Sequence, residues 1–550
     1  MDHEQLAADL ERRRAKVHEM GGPAKLKARR AQGQMNARER IAALCDAGSF
    51  AEVGEFTVSV RPEDAARTPA DGIVTGFGAV DGRDVAVAAF DLTTLGASSA
   101  SNNITKLGYL KDSATRAGIP CVFLIESAGA RMPDIQGARG MGRIGMTGQR
   151  GRERETPWVS AVLGPCYGMG TWYTVQADMA IMRRDASMSV SSPKVTSVAL
   201  SEAVTAEQLG GWEVHARGTG QIDAVADTDA DAIALIRRTL SYLPSNISEP
   251  APVLPRASAV GPSTRVEDVL PVARNKVYDV RKVVDAIADA GSVLPWREQH
   301  GRPLFTAFMR LHGRPVGVVA SNPLHKGGAI DGPACDKMTE FIVLCDSFNL
   351  PLVLMADTPG FLVGLQAEHK GVAGKIMNNI QALALASVPK LAIVMRKSYG
   401  QAYLNMGGGM SDAMAVWTTG EIGFVDPAVA VSVVHNVAPG GQGPNGEPYE
   451  TLFEGMMHDG TPFPARHLLV FLAAGTILCT LVIGSIGLPL VLRRLPPAGE
   501  PASLREERLA RLAACQAAIV RLGAVPDDDR ARDPDWLVQH QEAAGRLTQD

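Results

Sequence analysis

Phe123-Leu124-Ile125-Glu126-Ser127-Ala128-Gly129-Ala130-Arg131, followed by Val159-Ser160-Ala161-Val162-Leu163-Gly164-Pro165-Cys166-Tyr167-Gly168-Met169-Gly170, decides the fold of this 550-residue chain. An apolar, strand-like run ends in a turn of small residues, and a second such run ends in a glycine turn. The pattern returns in Leu354-Met355-Ala356-Asp357-Thr358-Pro359-Gly360-Phe361 and Leu391-Ala392-Ile393-Val394-Met395-Arg396-Lys397-Ser398-Tyr399-Gly400-Gln401-Ala402. Gly129 and Gly168 lie 39 positions apart, and Gly360 and Gly400 lie 40 apart. Matched internal spacing predicts two copies of one domain.

Outward from these turns, strands and helices alternate as in α/β folds. Asn36 followed by Glu39 forms a capping-box pattern that opens a helix over 37–44. Residues 71–83 predict a hairpin turning at Asp81-Gly82, with a buried strand over 85–90. A helix over 104–117 and a strand over 120–125 follow. A helix runs from the Gly170 turn to about 178, with a strand over 180–182, a turn over 207–212 and a helix over 229–243 closing the first unit. Pro244, Pro250, Pro252, Pro255 and Pro262 mark a linker. The second unit predicts strands at 316–320, 352–355 and 391–395 and helices at 336–348 and 375–386. The resulting domains are 1–250, 265–455 and an atypical tail, 456–550.

Composition narrows the function. A net charge of −4 gives no electrostatic ground for nucleic acid as a partner. Seven cysteines without a C-x-x-C pair fit a reducing compartment and give no zinc-ribbon or redox motif. Residues 1–20 are charged rather than apolar, which predicts a cytoplasmic protein without a secretory signal. Arg12-Arg13-Arg14 and Arg29-Arg30 read either as a solvated helix face or as contacts to an anion or another subunit. Arg139, Arg143 and Arg150, in a Gly- and Met-rich stretch, read either as surface charge or as phosphate ligands. The uncharged run 468–492, 25 residues ending at Arg493-Arg494, passes the length test for a membrane span. With no signal leading residues 1–465 across, it conflicts with simple insertion.

Gly-rich turns between a strand and a helix present backbone N–H groups to one spot and suit an oxyanion. Glycine takes positive φ there and lets a ligand approach the backbone. No G-x-S-x-G, H-E-x-x-H or G-x-x-x-x-G-K-[ST] occurs, and His325, His369 and His435 are isolated. The absence of a side-chain acid/base or nucleophile set favours catalysis through backbone donors.

These blocks resemble the carboxyltransferase (β) subunits of biotin-dependent acyl-CoA carboxylases, such as propionyl-CoA carboxylase, and the related decarboxylase subunits. The likeness spans about 5–435. It rests on Asn36-Ala37-Arg38-Glu39-Arg40-Ile41, Gly48-Ser49-Phe50, 71–78, 127–131, Gly164-Pro165-Cys166, Leu243-Pro244-Ser245-Asn246, Cys345-Asp346-Ser347-Phe348-Asn349, Asp357-Thr358-Pro359-Gly360-Phe361, Glu368-His369 and 396–403. The resemblance implies an α/β architecture of two tandem crotonase-like domains. Acyl-CoA then sits on the first, beside Ser127, Ala128, Gly129 and Ala130, with Leu404 lining the acyl pocket. Biotin sits on the second, beside Gly360, Phe361 and Gly400. The amides of Gly168 and Met169 would hold the thioester enolate, and those of Gln401 and Ala402 the ureido oxygen of biotin. Losing one such donor typically costs about 2.7–4 kcal/mol.

The resemblance also implies that the active site forms between subunits of a homo-oligomer, a dimer or trimer of dimers. It implies no metal in this chain. With no Met-Lys-Met site and no ATP loop here, biotin comes on a biotin carboxylase/biotin carboxyl carrier subunit. Met169 and Gln401 stand where the family usually has glycine, and their side chains are expected to crowd the pocket. Leu404 replaces a frequent Asp. Residues 462–495 are similar to the last membrane helix of sodium/proton antiporters, where the family normally has a helical end; a fusion or truncated gene is expected. Two further readings are a biotin-dependent acyl-CoA decarboxylase α subunit, and a non-catalytic, membrane-tethered acyl-CoA-binding subunit.

Overall fold

A computed structural model describes residues 2–138, 140, 142, 152, 154–255 and 264–458. Arg139, Arg143, Arg150, the 468–492 run and the antiporter-like stretch lie outside the described residues. Met1–Pro439 and Gly440–Asp550 form two units. In the second, the described residues hold a Gln442–Pro448 bridge and a helix, Tyr449–His458. The boundary between these units falls inside the expected 265–455 domain.

The first unit holds two sheets. One has eight strands: β1 (Ala51–Val53), β2 (Ile73–Val80), β3 (Arg83–Phe90), β4 (Cys121–Ser127), β5 (Trp158–Tyr167), β6 (Met179–Arg183), β7 (Ser187–Ser189) and β8 (Ala224–Ala226). Their order is β1-β2-β3-β4-β5-β6-β8, with β7 also on β5. The other has seven: β9 (Leu294–Trp296), β10 (Leu304–Leu311), β11 (Arg314–Ser321), β12 (Leu352–Thr358), β13 (Lys390–Tyr399), β14 (Ala413–Val416) and β15 (Glu421–Gly423). They run β14-β13-β12-β11-β10-β9, with β15 on β13. In both, an antiparallel hairpin (β2–β3, β10–β11) leads into parallel pairing (β3–β4–β5, β11–β12–β13). The first hairpin turns at Asp81-Gly82, both at positive φ (51° and 76°), as a tight turn there requires. The predicted capping box is present: Asn36 accepts from Glu39 N–H at 2.9 Å, and Glu39 accepts from Asn36 N–H at 2.9 Å.

Alternation along the strands sends side chains to opposite faces. Val85, Val87, Ala89, Val122 and Leu124 join one buried cluster; Ala86, Ala88, Phe90, Cys121, Phe123 and Ile125 join another. The first cluster continues into Trp296, Phe308, Phe341 and Leu354 of the second half, so one apolar core ties the two sheets together. The Pro-rich linker carries no helix or strand over 244–255 and is pinned to both halves. Its Ile247 N–H donates to Glu155 O (3.0 Å), and Asn349 Nδ2 donates to Ile247 O (2.8 Å).

The expected turn over 207–212 is instead a helix, Ala206–Gly210. Thr205 and Gln208 form a capping box that outweighs the helix-breaking Gly210-Gly211 pair. The predicted helix before Asp178 is short, Met169–Val175. No helix among the described residues is long and apolar enough to cross a membrane.

The repeat extends to buried cations. Lys106, in the helix Ser101–Ala117, donates to the carbonyls of Ala70 (3.0 Å) and Ile73 (2.7 Å). Lys337, 231 positions on in the helix Gly332–Ser347, donates to Arg297 (3.2 Å), His300 (2.8 Å) and Leu304 (2.7 Å). Each ammonium ties its helix to the start of the hairpin. Burial pushes Lys106 down to about 8 and Lys337 down to about 7. An unfolded lysine titrates near about 10.4. Between the folded and unfolded values the unfolded chain binds the extra proton, so unfolding becomes harder as pH rises; this contribution is lost as pH falls through about 7. From pH 7 to 9, the unfolding free energy of the wild type should therefore rise more steeply than that of Lys337→Met, by up to about 1.4 kcal/mol per pH unit. Parallel slopes in denaturant titrations would show that Lys337 stays charged throughout.

Candidate functional site

Both glycine turns stand at the carboxyl ends of neighbouring parallel strands. After β4, Gly129 adopts φ +102° and after β5 Gly168 adopts φ +67°, and a Cβ on Gly168 would lie 3.9 Å from Gly129 Cα. Gly129 N–H donates to Ser127 Oγ (3.2 Å), Ala128 N–H to Gly96 O (2.8 Å), and Ser99 N–H to Gly129 O (2.8 Å). Ser127 and Gly129 are buried, while Ala128 and Ala130 are exposed. The second copy repeats this pattern except at Pro359, which stands where Ala128 does and has no N–H to donate. Gly360 N–H donates to Thr358 Oγ1 (3.1 Å), Ile330 N–H to Gly360 O (3.0 Å) and Leu362 N–H to Ile330 O (2.8 Å), matching Arg131 N–H to Ser99 O (2.8 Å). The strand register slips at the same place in both, between Ile125 and Ser127 and between Ala356 and Thr358. Gly360 has φ +127°, and a Cβ there would come no closer than 4.0 Å, to Tyr399 O.

The donors at each turn can be read from what already uses them. Gly168 N–H donates to Ser189 O at 3.3 Å, and Gly400 N–H donates to Gly423 O at 3.0 Å. Met169 and Gly170, like Gln401 and Ala402, hold the first two helical positions, whose N–H groups have no intrahelical acceptor. The open pair of the first turn is therefore Met169 with Gly170, one residue beyond the Gly168–Met169 pair read from sequence. The helices that follow, Met169–Val175 and Gln401–Asn405, have seven and five residues. Such short helices contribute little dipole; the amides themselves are the chemistry.

The expectation that Met169 crowds the pocket is not met: it is 8% exposed and packs with Ile125, Cys166 and Tyr173 in the core. Gln401 is exposed, and its Nε2 donates to Asn405 Oδ1 (3.2 Å). Ala402 is fully buried, Leu404 is half-buried, and Phe361 is half-buried against the core cluster. The structure thus brings Ser127–Ala130 together with Gly168, and Gly360 together with Tyr399-Gly400. Among the described residues no hydrogen bond joins one turn pair to the other.

Two sets of supporting residues were not singled out by sequence. Glu126 and Asp357 sit at the same repeat position, one residue before Ser127 and Thr358, and both are buried. Glu126 is held by Arg29 (2.8 Å) and Arg40 (2.7 Å). Arg40 also binds Asp229 (2.9 Å). Asp357 is held by Arg396 (2.8 Å) and Tyr278 (2.9 Å). An acid at the end of an otherwise apolar strand, repeated at the same register, was the available signal. The second set is Tyr167 and Tyr399, each directly before its glycine. Tyr167 bonds Ser187 Oγ (2.9 Å) on β7, and Tyr399 donates to Glu421 at the same place on β15. Arg274 completes the second network, reaching Tyr399 (2.6 Å), Glu421 (3.2 Å) and Asp426 (3.0 Å). Burial, reinforced by Glu421, pushes the Tyr399 phenol up, so it remains a donor.

The hydroxyls at the turns are engaged with backbone, Ser127 Oγ donating to Ala97 O (3.2 Å) and Thr358 Oγ1 to Gly360 O (3.0 Å). Cys166 is fully buried and its thiol is pushed up to about 12 by burial. His18, Glu52 and Glu55 approach one another within 4.8 Å, yet Arg38 (2.6 Å) and Arg14 (3.4 Å) already neutralise the two carboxylates.

Residues 28–442 match the model of the carboxyl transferase domain family. The chain is 36% identical over 431 residues to the methylmalonyl-CoA carboxyltransferase 12S subunit of Propionibacterium freudenreichii subsp. shermanii, covering 77% of this chain and 82% of that one. The chain belongs to the carboxyl transferase family. This carboxyltransferase is also 34% identical over 442 residues to the propionyl-CoA carboxylase beta chain of Roseobacter denitrificans (78% and 86% covered). It is 33% identical over 434 residues to the methylmalonyl-CoA decarboxylase subunit alpha of Propionigenium modestum (78% and 84%). Its fold matches the transcarboxylase 12S crystal structure with methylmalonyl-coenzyme A and methylmalonic acid bound, at a TM-score of 0.77 and 34% identity over 84% of this chain and 91% of that one. The α/β, crotonase-like architecture and the carboxyltransferase class of biotin-dependent acyl-CoA carboxylases expected from the motifs are therefore correct.

Of the four turn glycines, Gly400, at φ 59° and ψ −144°, is the one least able to accept a side chain. A Cβ there would sit 3.1 Å from Phe424 O. Gly400→Ala should cost about 1–3 kcal/mol of stability and re-aim the Gln401 amide. Carboxyl transfer should fall by about tenfold or more while the folded state persists at 25 °C. An unchanged melting temperature and rate would show that the turn does not need its glycine geometry.

Proposed function

We propose that this carboxyltransferase moves a carboxyl group from carboxybiotin to the α-carbon of acetyl-CoA, propionyl-CoA or a similar acyl-CoA. The observation that carries this reading is the duplicated turn: two pairs of open amides, each held rigid from below by a buried carboxylate. In the first turn pair, Ser127–Ala130 and Gly168 cradle the thioester, and the amides of Met169 and Gly170 stabilise the enolate oxygen. In the second, Gly360, Phe361 and Gly400 cradle biotin, and the amides of Gln401 and Ala402 hold its ureido oxygen. The open space around a Cβ at Gly360 fits a ligand lying against the backbone. When bound, biotin supplies the carboxyl group and the nitrogen that takes the α-proton. The chain's part is to orient both partners and to stabilise negative charge with preorganised dipoles.

The acids nearest the turns, Glu126 and Asp357, are buried in ion pairs, which supports a reaction without a protein base. Biotin arrives on a separate biotin carboxylase/carrier subunit. A second copy of this chain completes the site. Exposed apolar side chains beside each turn support that assembly: Val195, Val198 and Leu200 on the helix Pro193–Leu200, and Val429, Val433 and Val434 on the helix Pro427–His435.

The test is carboxyl transfer from malonyl-CoA or methylmalonyl-CoA to free biocytin by the purified protein. Transfer is expected. Acyl-CoA binding without transfer would instead mark a non-catalytic subunit. Leu404, half-buried behind Ala402, sets chain-length preference, so Leu404→Asp should change the ratio of rates on acetyl-, propionyl- and longer acyl-CoA. Equal ratios in variant and wild type would remove Leu404 from the acyl pocket.

A further inference from the structure

The two halves differ sharply at one equivalent place. In the first, the N-terminal segment seals the end of β3: Gly21 N–H donates to Thr93 Oγ1 (3.0 Å) and Lys25 Nζ to Thr93 O (2.7 Å). Packing is so close that a Cβ on Gly21 would fall 2.1 Å from Thr93 O. The corresponding residue of the second half, 231 positions on, is Leu324, and it is 48% exposed. The chain entering the second half goes elsewhere, giving the carbonyls of Pro271, Ala273 and Lys276 to Arg396. What remains beside Leu324 is a cleft of about 570 Å³ between the two halves.

Arginines outnumber acids on its wall. Four arginines (Arg184, Arg217, Arg281 and Arg302) face two acids, Asp279 and Glu298. Both acids are engaged, Glu298 with the Arg281 guanidinium and Asp279 with the Arg281 N–H (3.0 Å). Arg184 and Arg217 are fixed against the Trp212 ring, 4.5 and 4.8 Å from its centroid, and anchored by Asp227 and Glu213. Arg302 has no hydrogen-bond or ion-pair partner among the described residues. Burial, with Arg302, pushes the His325 imidazole down, so the unpaired positive charge of the cleft is that of Arg302.

We propose that this cleft is a second ligand site, for a phosphate-bearing anion of nucleotide size, with Arg302 as its main phosphate contact. Guanidinium forks match phosphate oxygens in pairs, and the volume lies in the range of small-molecule pockets. The site is separate from both glycine turns, and none of its residues takes part in the transfer proposed above.

The experiment is calorimetric titration of the full chain with ADP and with pyrophosphate, in the presence of excess propionyl-CoA to keep ADP out of the first turn pair. ADP should bind. Arg302→Gln should weaken it about tenfold, the worth of a hydrogen bond to a charged group, and Arg302→Lys should lie between the two. Arg302 is exposed, so both variants should fold and keep the wild-type transfer rate. Pyrophosphate should bind more weakly than ADP. No ADP binding at millimolar concentration, displacement of ADP by propionyl-CoA, or equal affinity in Arg302→Gln would each overturn the proposal.

Discussion

A carboxylate buried at the end of each central strand holds the glycine turns. Glu126 and Asp357 are 1% and 0% exposed, and each is paired with arginine. Burying an ion pair gains little net stability, but removing one partner leaves a stranded charge. The structure therefore cannot relax at this point, and rigidity passes to the next residue. Ser127 and Thr358 bond back to the glycine two positions on, and the amide donors lie across the sheet from that bond. Catalysis by backbone dipoles depends on such preorganisation, because an amide that reorients during the reaction loses what it gains.

The two halves reach this end with different residues. The first half borrows its cations: Arg29 comes from the helix Pro23–Ala31 and Arg40 from Ala37–Leu44. Arg40 then leans on Asp229, which also binds Arg183, so the N-terminal helices are locked to the closing helix Asp229–Tyr242. The second half takes its cation from β13 itself, through Arg396. Gly164 precedes Gly168 by the same four residues that separate Arg396 from Gly400. A Cβ at Gly164 would meet Glu126 Oε1 at 2.4 Å, so a side chain there is excluded once the cations arrive from outside the sheet. The N-terminal helices are thus part of the site's foundation rather than an appendage.

Much of this was legible in the sequence. The matched spacing of Gly129/Gly168 and Gly360/Gly400, 39 and 40 positions, predicts the duplication, and apolar runs predict the central strands. Strand ends were read short: β4 and β12 run on through Glu126-Ser127 and Asp357-Thr358, since polar residues there look like turn signals until their buried partners are known. Those partners lie 39 to 97 positions away in sequence, beyond any local pattern. The 207–212 stretch shows the opposite error, in which Gly210-Gly211 drew attention from the Thr205–Gln208 capping box. Met169 was misplaced because its position beside a glycine suggested the pocket, whereas the first residue of that helix turns its side chain into the core.

Which amides are open follows from β7 and β15, two three-residue strands with no sequence signature. Each supplies one carbonyl, Ser189 or Gly423, that takes the N–H of the turn glycine. This bond engages the N–H of a glycine at positive φ and leaves the next two N–H groups, at the start of the helix, without an intrahelical acceptor. Tyr167 and Tyr399 hold the same short strands in register from the other side. The second tyrosine does so through Glu421, Arg274 and Asp426, where the first needs only Ser187. A charged network is the stronger restraint where β14 and β15 lie more exposed than β6 and β7. Beyond the buried ion pairs that both halves share, the half with the thinner cover adds this charged network, and the half enclosed by β8 and Asp229–Tyr242 adds packing.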